Sequence, residues 1–218
     1  MSKSKRQVIY IYDPLCGWCY GFTPHLMKWA EAHPELNFTV FSGGMVTGDR
    51  VGPIREVASY ISKAYKNVEE RSGISFGKPF LETTLEKGEA IFNSVPPAKA
   101  LVGLKSLQAG DDLDYAHRIQ KAIYEKGHPP EGEKAYVEIA KEVGIDPEEY
   151  QDFYRSAEAE NKMNKEFELV KTWGIEGFPT LVLLDDGKGY VLTRGFTDAD
   201  GLDKAYQQAL GRINQGQS

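Results

Sequence analysis

Cysteine appears only twice in 218 residues, as Cys16 and Cys19, and histidine four times, as His25, His33, His117 and His128. No stretch approaches the ~20 consecutive apolar residues that cross a bilayer, so no membrane partner is expected. The first apolar run, Val8 to Tyr12, is shorter than the ~7–15 residues of a signal-peptide core, and the expected location is the cytoplasm. Basic residues are not in excess: 26 Lys and Arg stand against 32 Asp and Glu, for a formal charge of -6. They are scattered among the acids, so nothing is expected to neutralise a phosphate backbone, and nucleic acid is set aside as a partner. The histidines show no paired ligand spacing, which argues against a zinc site of about four ligands. No cofactor is expected.

What is present is enough for a folded protein. Hydrophobic residues make up 41% and charged residues 27%, with 12 tyrosines, which permits a sizeable core and argues against disorder. One domain, or one domain carrying an insertion, is expected, since a single core stops growing only near ~250–300 residues.

Along the chain, Val8 to Tyr12 reads as a buried strand that ends at Asp13-Pro14. A helix is expected over Cys19 to Ala32 and a second strand over Phe38 to Phe41, together a β-α-β unit with a parallel strand pair. From about Gly52 the apolar positions Ile54, Val57, Ala58, Ile61, Ala64, Tyr65 and Val68 follow helical spacing. No strand is predicted there for more than a hundred residues. Breakers at Pro96-Pro97, Gly110, Gly127, Pro129-Pro130, Gly144 and Pro147 divide the block into helices near 98–109, 113–126, 133–143 and 147–157, and a further helix is expected over Glu158 to Trp173. Strands return at Thr180 to Leu184 and Tyr190 to Arg194 around the turn Asp185-Asp186-Gly187, before a last helix from Asp198 or Asp200 to near Gly211. The expected division is 1–48, a helical insertion over 49–157, and 158–218.

The two cysteines lie in Asp13-Pro-Leu-Cys-Gly-Trp-Cys-Tyr20. Metal binding, two chance-neighbour buried thiols and a redox dithiol are the competing readings, and position favours the last. Cys16 falls between a strand end and the first turn of a helix, where unpaired N–H groups and the helix dipole favour an anion. The thiolate is the attacking species in disulfide exchange. Cys19 lies nearly one turn on, Gly17 is expected to permit close approach, and no third cysteine competes.

This strand, cysteine motif and helix with Pro24 resemble a thioredoxin-fold active site, and the long helical insertion is similar to that of the DsbA family. Residues 13–20 with Gly43-Gly44-Met45 most resemble its cytoplasmic FrnE-like branch of predicted disulfide isomerases. Gly174-Ile-Glu-Gly-Phe-Pro-Thr180 is similar to the family loop whose proline is cis. The resemblance implies an α/β thioredoxin fold with Cys16 as exposed nucleophile and Cys19 as buried resolving thiol. It places Pro179 against the pair and leaves the Phe178 backbone to bind substrate beside Gly17 and Trp18. By itself Pro179 reads as a turn proline, Trp18 equally as a packing residue, Met45 as core, and Asp13 as a turn residue that could also tune the cysteines. A histidine stands between the cysteines of DsbA; Gly17-Trp18 supplies no cation, which implies a less acidic Cys16 and a less oxidising disulfide.

The function these features imply is thiol-disulfide oxidoreductase, as reductase or isomerase, toward protein or peptide thiols and disulfides. Glutathione or a thioredoxin-type protein is the expected electron partner. Kappa-class transferases and hydroxychromene-carboxylate isomerases share the insertion topology but generally lack the paired cysteines. A protease-adaptor role for the helical block is a non-catalytic alternative.

Overall fold

The structure, a computed structural model, describes residues 6–108 and 110–216. The basic lead at 1–5, position 109 at the end of the expected 98–109 helix, and residues 217–218 lie outside the described residues.

Strands β1 (Gln7–Tyr12), β2 (Asn37–Ser42), β5 (Thr180–Asp185) and β6 (Lys188–Arg194) form one sheet in the order β2-β1-β5-β6. β1 pairs parallel with β2 and antiparallel with β5. The centre of the sheet is therefore made from both ends of the chain. Val8, Tyr10 and Tyr12 enter the main core with Phe22 and Leu26 of α1 (Gly17–Glu31). Ile9 and Ile11 pack on the other face against Val170 of α7 (Ala157–Thr172). Burial on both faces is why β1 reads as an unbroken apolar run rather than an alternating one. The β5–β6 turn has φ 48° at Asp186 and 74° at Gly187, the left-handed pair that a tight hairpin demands.

Between the two halves come a two-residue pairing of β3 (Gly52–Pro53) with β4 (Ile91–Phe92), then α2 (Ala58–Ser72), α3 (Val95–Leu107), α4 (Asp112–Tyr124), α5 (Glu133–Glu142) and α6 (Pro147–Arg155). The β3–β4 pair corrects the expectation of an insertion without strands; two residues on each side are too few to leave a pattern. The stretch from Ile54 also differs, opening as a 3-10 turn at Ile54–Glu56 before α2 begins at Ala58. A π-helical segment at Pro79–Leu85 was not anticipated. Pro96 and Pro97 lie inside the first turn of α3, where no intrahelical N–H bond is lost, so the helix starts earlier than its prolines suggest. α8 (Ala199–Gly216) runs past Gly211. Its buried row Leu202, Tyr206, Ala209 and Ile213 continues beyond the glycine, and burying Ile213 outweighs the roughly 1 kcal/mol that a helical glycine costs.

The outer edge of β2 is closed by charge rather than by another strand. Val40 N–H donates to Asp112 Oδ2 (3.2 Å), Val40 C=O accepts from Lys105 Nζ, and Ser42 N–H donates to Glu166 Oε2 (3.2 Å). Lys105 Nζ lies 2.8 Å from Glu166 Oε1 and 3.9 Å from Asp112 Oδ2, and all three side chains are at most 17% exposed. Burial holds the Glu166 and Asp112 carboxyls above the ordinary carboxylate range, with Lys105 opposing the rise. This clasp binds α3, α4 and α7 to the sheet and occupies the Val40 and Ser42 backbone groups that another chain would need for pairing there. Lys105→Met would strand two largely buried acids and is expected to cost about 3 kcal/mol by urea denaturation. The double variant Lys105→Met/Glu166→Gln should recover most of that loss. A single-variant loss below about 1 kcal/mol would show the clasp to be no stronger than a surface pair.

Candidate active site

β1 ends at Tyr12, and Asp13-Pro14-Leu15 turn the chain into α1. Cys16 N–H donates to Asp13 C=O (3.0 Å) and Leu15 N–H to Asp13 Oδ1 (2.9 Å), which closes the turn. Helix α1 starts at Gly17, two residues earlier than its apolar spacing indicates, with Cys16 as N-cap. The capping atom is the sulfur itself: Cys19 N–H donates to Cys16 Sγ at 3.3 Å, as it would to the oxygen of a Ser or Asp cap. Both cysteines are free thiols. Cys16 Sγ also lies 3.6 Å from the Phe178 carbonyl oxygen, to which the thiol donates. The Phe178–Pro179 peptide is cis. Gly43 runs so close under the Phe178 ring that a Cβ there would collide with it; the glycine is what lets this loop meet the sheet end.

Cys16 is only 7% exposed, which corrects the expectation of an exposed nucleophile. The cause lies in the insertion: Ile61 and Tyr65 of α2, Phe76 and Tyr124 stand around the sulfur with Met45 and Phe178, and together with Cys16 and Trp18 they line a cavity of about 280 Å³. Cys16 therefore faces an apolar chamber. Gly17 does not need to be glycine for space, since a Cβ would lie in ordinary contact with Phe76 at 3.4 Å. Half-buried Trp18 does two things at once. Its ring borders the chamber and packs on Phe196 (centroids 6.0 Å apart) beneath the Arg71 guanidinium (5.4 Å). Pro179 is buried, and its carbonyl accepts Gly195 N–H at 2.7 Å.

Cys19 is fully buried. Burial, and then the adjacent Cys16, push its thiol well above the ordinary range; the Asp13 backbone opposes the rise by hydrogen bonding, and the Asp13 charge adds a smaller push upward. Asp13 is itself fully buried and accepts three hydrogen bonds: Leu15 N–H, Met45 N–H (2.7 Å) and Ser94 Oγ–H (2.9 Å). Burial raises its carboxyl to about 6, against the opposing pull of those donors and of Arg50. Met45 thus serves the site with its backbone while its side chain borders the chamber. Sequence reasoning missed Ser94, Tyr124, Phe76, Phe196 and Arg71. Phe76 and Tyr124 line the cavity with Cys16, Ser94 reaches Asp13, and Phe196 and Arg71 reach Trp18, all from distant chain positions with no local spacing to mark them. His25 and His33 are satisfied elsewhere, on Ser72 C=O (2.8 Å) and Trp29 C=O (2.9 Å).

Among the described residues, no cluster of His, Cys, Asp and Glu could hold a metal ion, and no helix is long and apolar enough to cross a membrane. The arrangement can do one kind of chemistry directly: exchange between a sulfur held at a helix start and a second sulfur one turn behind it.

Comparison with curated proteins by sequence gives no match. Solved structures do match. A candidate protein disulfide isomerase of Nitrosomonas europaea superposes with a TM-score of 0.84 at 24% identity, covering 95% of this chain and 98% of that one. The cytosolic disulfide reductase DsbM of Pseudomonas aeruginosa gives 0.76 at 26% identity over 96% and 99%, and it is also known with glutathione bound. A 2-hydroxychromene-2-carboxylate isomerase shares the fold, with a TM-score of 0.65 at 17% identity over 97% of each chain. The model of the DSBA-like thioredoxin domain matches residues 7–207. The fold is thus a thioredoxin fold with a helical insertion, and the chain belongs to the DSBA-like thioredoxin domain family.

Proposed function

We propose that Cys16 and Cys19 are the redox pair of a thiol-disulfide oxidoreductase that works as a reductase or isomerase on protein or peptide disulfides. The observation that carries this is the seating of the Cys16 sulfur between the Cys19 N–H and the Phe178 carbonyl, with the Cys19 thiol buried behind it. Membership in the DSBA-like family supports oxidoreductase chemistry in general. The likeness to a cytosolic disulfide reductase supports the reducing direction, and that protein's glutathione complex supports a small thiol as electron donor. The transferase-like and adaptor readings give no reason for a second cysteine behind the first.

In the reducing direction the Cys16 thiolate attacks one sulfur of the substrate disulfide. A Cys16–substrate bond forms, the substrate S–S bond breaks, and one substrate thiolate leaves and takes up a proton. Cys19 then gives up its proton and attacks the Cys16 sulfur, closing the Cys16–Cys19 bond and releasing the second substrate thiol. Two electrons have passed from dithiol to substrate. Two thiols of the glutathione kind restore the dithiol by the reverse exchange, the first forming a mixed disulfide with Cys16 and the second displacing it, and together they leave as one disulfide. Phe178, Gly17 and Trp18 line the chamber that a substrate chain would contact, with Pro179 buried next to Phe178 in the loop behind them. Asp13 tunes the second step. Its charge holds the Cys19 proton on, and that influence fades as pH falls through about 6 and the carboxyl takes up a proton.

Cys19→Ser should leave Cys16 able to attack but not to release, so mixed disulfides with client proteins should accumulate and resolve on adding dithiothreitol. Absence of such adducts, in a variant whose Cys16 still reacts with iodoacetamide, would overturn the exchange mechanism. In a Cys16→Ser background, Asp13→Asn should move the Cys19 titration midpoint downward, read from the cysteine Cβ chemical shift against pH. A midpoint that stays put or rises would remove Asp13 from any tuning role.

A further inference from the structure

Arg71 sits in the last turn of α2, exposed, with its guanidinium 5.4 Å over the Trp18 ring and 6.0 Å from that of Phe196. The stack is braced from both sides. Phe196 meets Phe22 and His25 edge-on, with centroids 6.5 and 5.4 Å away, and the His25 ring nitrogen lies 2.8 Å from the Ser72 carbonyl oxygen, one residue beyond Arg71. Among the described residues no carboxylate lies within ion-pairing distance of Arg71. The nearby acid Glu69 is engaged instead, accepting the Phe76 N–H at 2.7 Å. A cation–π contact engages the charge of a guanidinium and none of its N–H donors, which keep the planar fork that fits a carboxylate.

What makes this an address rather than an ornament is the chamber beside it. The cavity before Cys16 has no charged side chain in its walls, and Trp18 belongs to both the cavity and the Arg71 stack. A disulfide on a slender stem can enter that space. A carboxylate on the stem, emerging past Trp18, would meet a cation that has no acidic partner and is already held in place, so little side-chain freedom is lost on binding. We infer that Arg71 is a specificity-determining residue that binds a substrate carboxylate, so that the site prefers small carboxylate-bearing disulfides to neutral or cationic ones of the same size. This rests on the oxidoreductase reading and names its substrate class. The exchange is the two-step one already described: each substrate disulfide takes two electrons from the dithiol and leaves as two thiols.

The experiment uses the reduced full-length protein in single turnover, followed by tryptophan fluorescence, against three disulfides of similar size: dithiodipropionate, hydroxyethyl disulfide and cystamine, carrying carboxylates, hydroxyls and ammoniums. Each second-order rate constant is divided by that of free dithiothreitol with the same compound, which removes intrinsic reactivity. The normalised anionic-to-neutral ratio of the wild type should exceed one, and Arg71→Gln should lower it about tenfold, the scale of a charge-assisted hydrogen-bonded pair. Arg71→Glu should favour cystamine. High salt, where the Debye length shrinks to about 3 Å at 1 M, should erode the wild-type preference. The assignment is overturned if Arg71→Gln leaves the ratio within about twofold of wild type, or if the three rates fall in parallel, which would reduce Arg71 to a prop for Trp18. A wild type that reacts with all three without preference also sinks it while leaving the enzyme reading intact. A wild type inert to all three also sinks this inference, whereas the oxidoreductase reading stands or falls with the mixed disulfides of Cys19→Ser.

Discussion

The buried carboxylate of Asp13 is the joint on which this architecture turns. Its donors come from three places that sequence keeps far apart: the cysteine turn (Leu15), the loop after β2 (Met45) and the start of α3 (Ser94). Ser94 is tied a second time to that loop, since its Oγ accepts from Val46 N–H at 3.0 Å and its own N–H reaches Val46 C=O at 2.8 Å. A fully buried acid with no donors would simply stay protonated. Here the donors hold the carboxyl to about 6 in spite of burial. One side chain thus sets the angle of the cysteine turn, the position of the Met45 wall and the docking of the insertion, and it places a charge beside Cys19.

The insertion acts on the site without supplying a sulfur. α2 and the segment after it wall in Cys16 with Ile61, Tyr65 and Phe76, while α4 adds Tyr124. The aromatic contacts among Tyr20, Phe76, Phe80 and Tyr124, with centroids 5.0 to 5.9 Å apart, make that wall continuous with the core. Opening it would mean giving up packing energy rather than swinging a loose loop. On the proposed mechanism the thioredoxin-like sheet supplies the reacting atoms, and the helices decide the width and chemistry of the path to them.

Much of this was readable in sequence because it depends on local spacing. The cysteine pair, the strand before it and most helix spans follow from neighbours a few residues apart, and the structure moves their ends by only a few positions; the loop Gly174 to Thr180 was legible only through the family resemblance. What was not readable depends on contacts across the chain. The family resemblance implied an exposed Cys16; nothing near it in the sequence announces that Ile61, Phe76 and Tyr124 will stand beside it. Gly17-Trp18 indicated a site without a cation, which is true of the motif. The structure nonetheless brings Arg71 over Trp18 from more than fifty residues away. Ser94 likewise looks like an ordinary residue before Pro96-Pro97 until its hydroxyl is seen on Asp13.

The coupling between the two sulfurs suits the order of the proposed steps. With Cys16 free, burial and the adjacent Cys16 sulfur keep the Cys19 proton in place, with a smaller push from the Asp13 charge against the pull of the Asp13 backbone, so on the proposed mechanism Cys19 does not compete for the substrate. Once Cys16 is bonded to a substrate sulfur it can carry no charge, and its part in holding that proton disappears. Cys19 thus becomes easier to ionise when its attack is needed. Burial remains as a standing barrier, and that leaves Asp13 as the adjustable one: a carboxyl near 6 changes its charge within the range where a modest shift in surroundings matters. A sulfur more exposed than Cys19 would resolve faster but would also react alone. Its depth behind Cys16 favours sequence over speed.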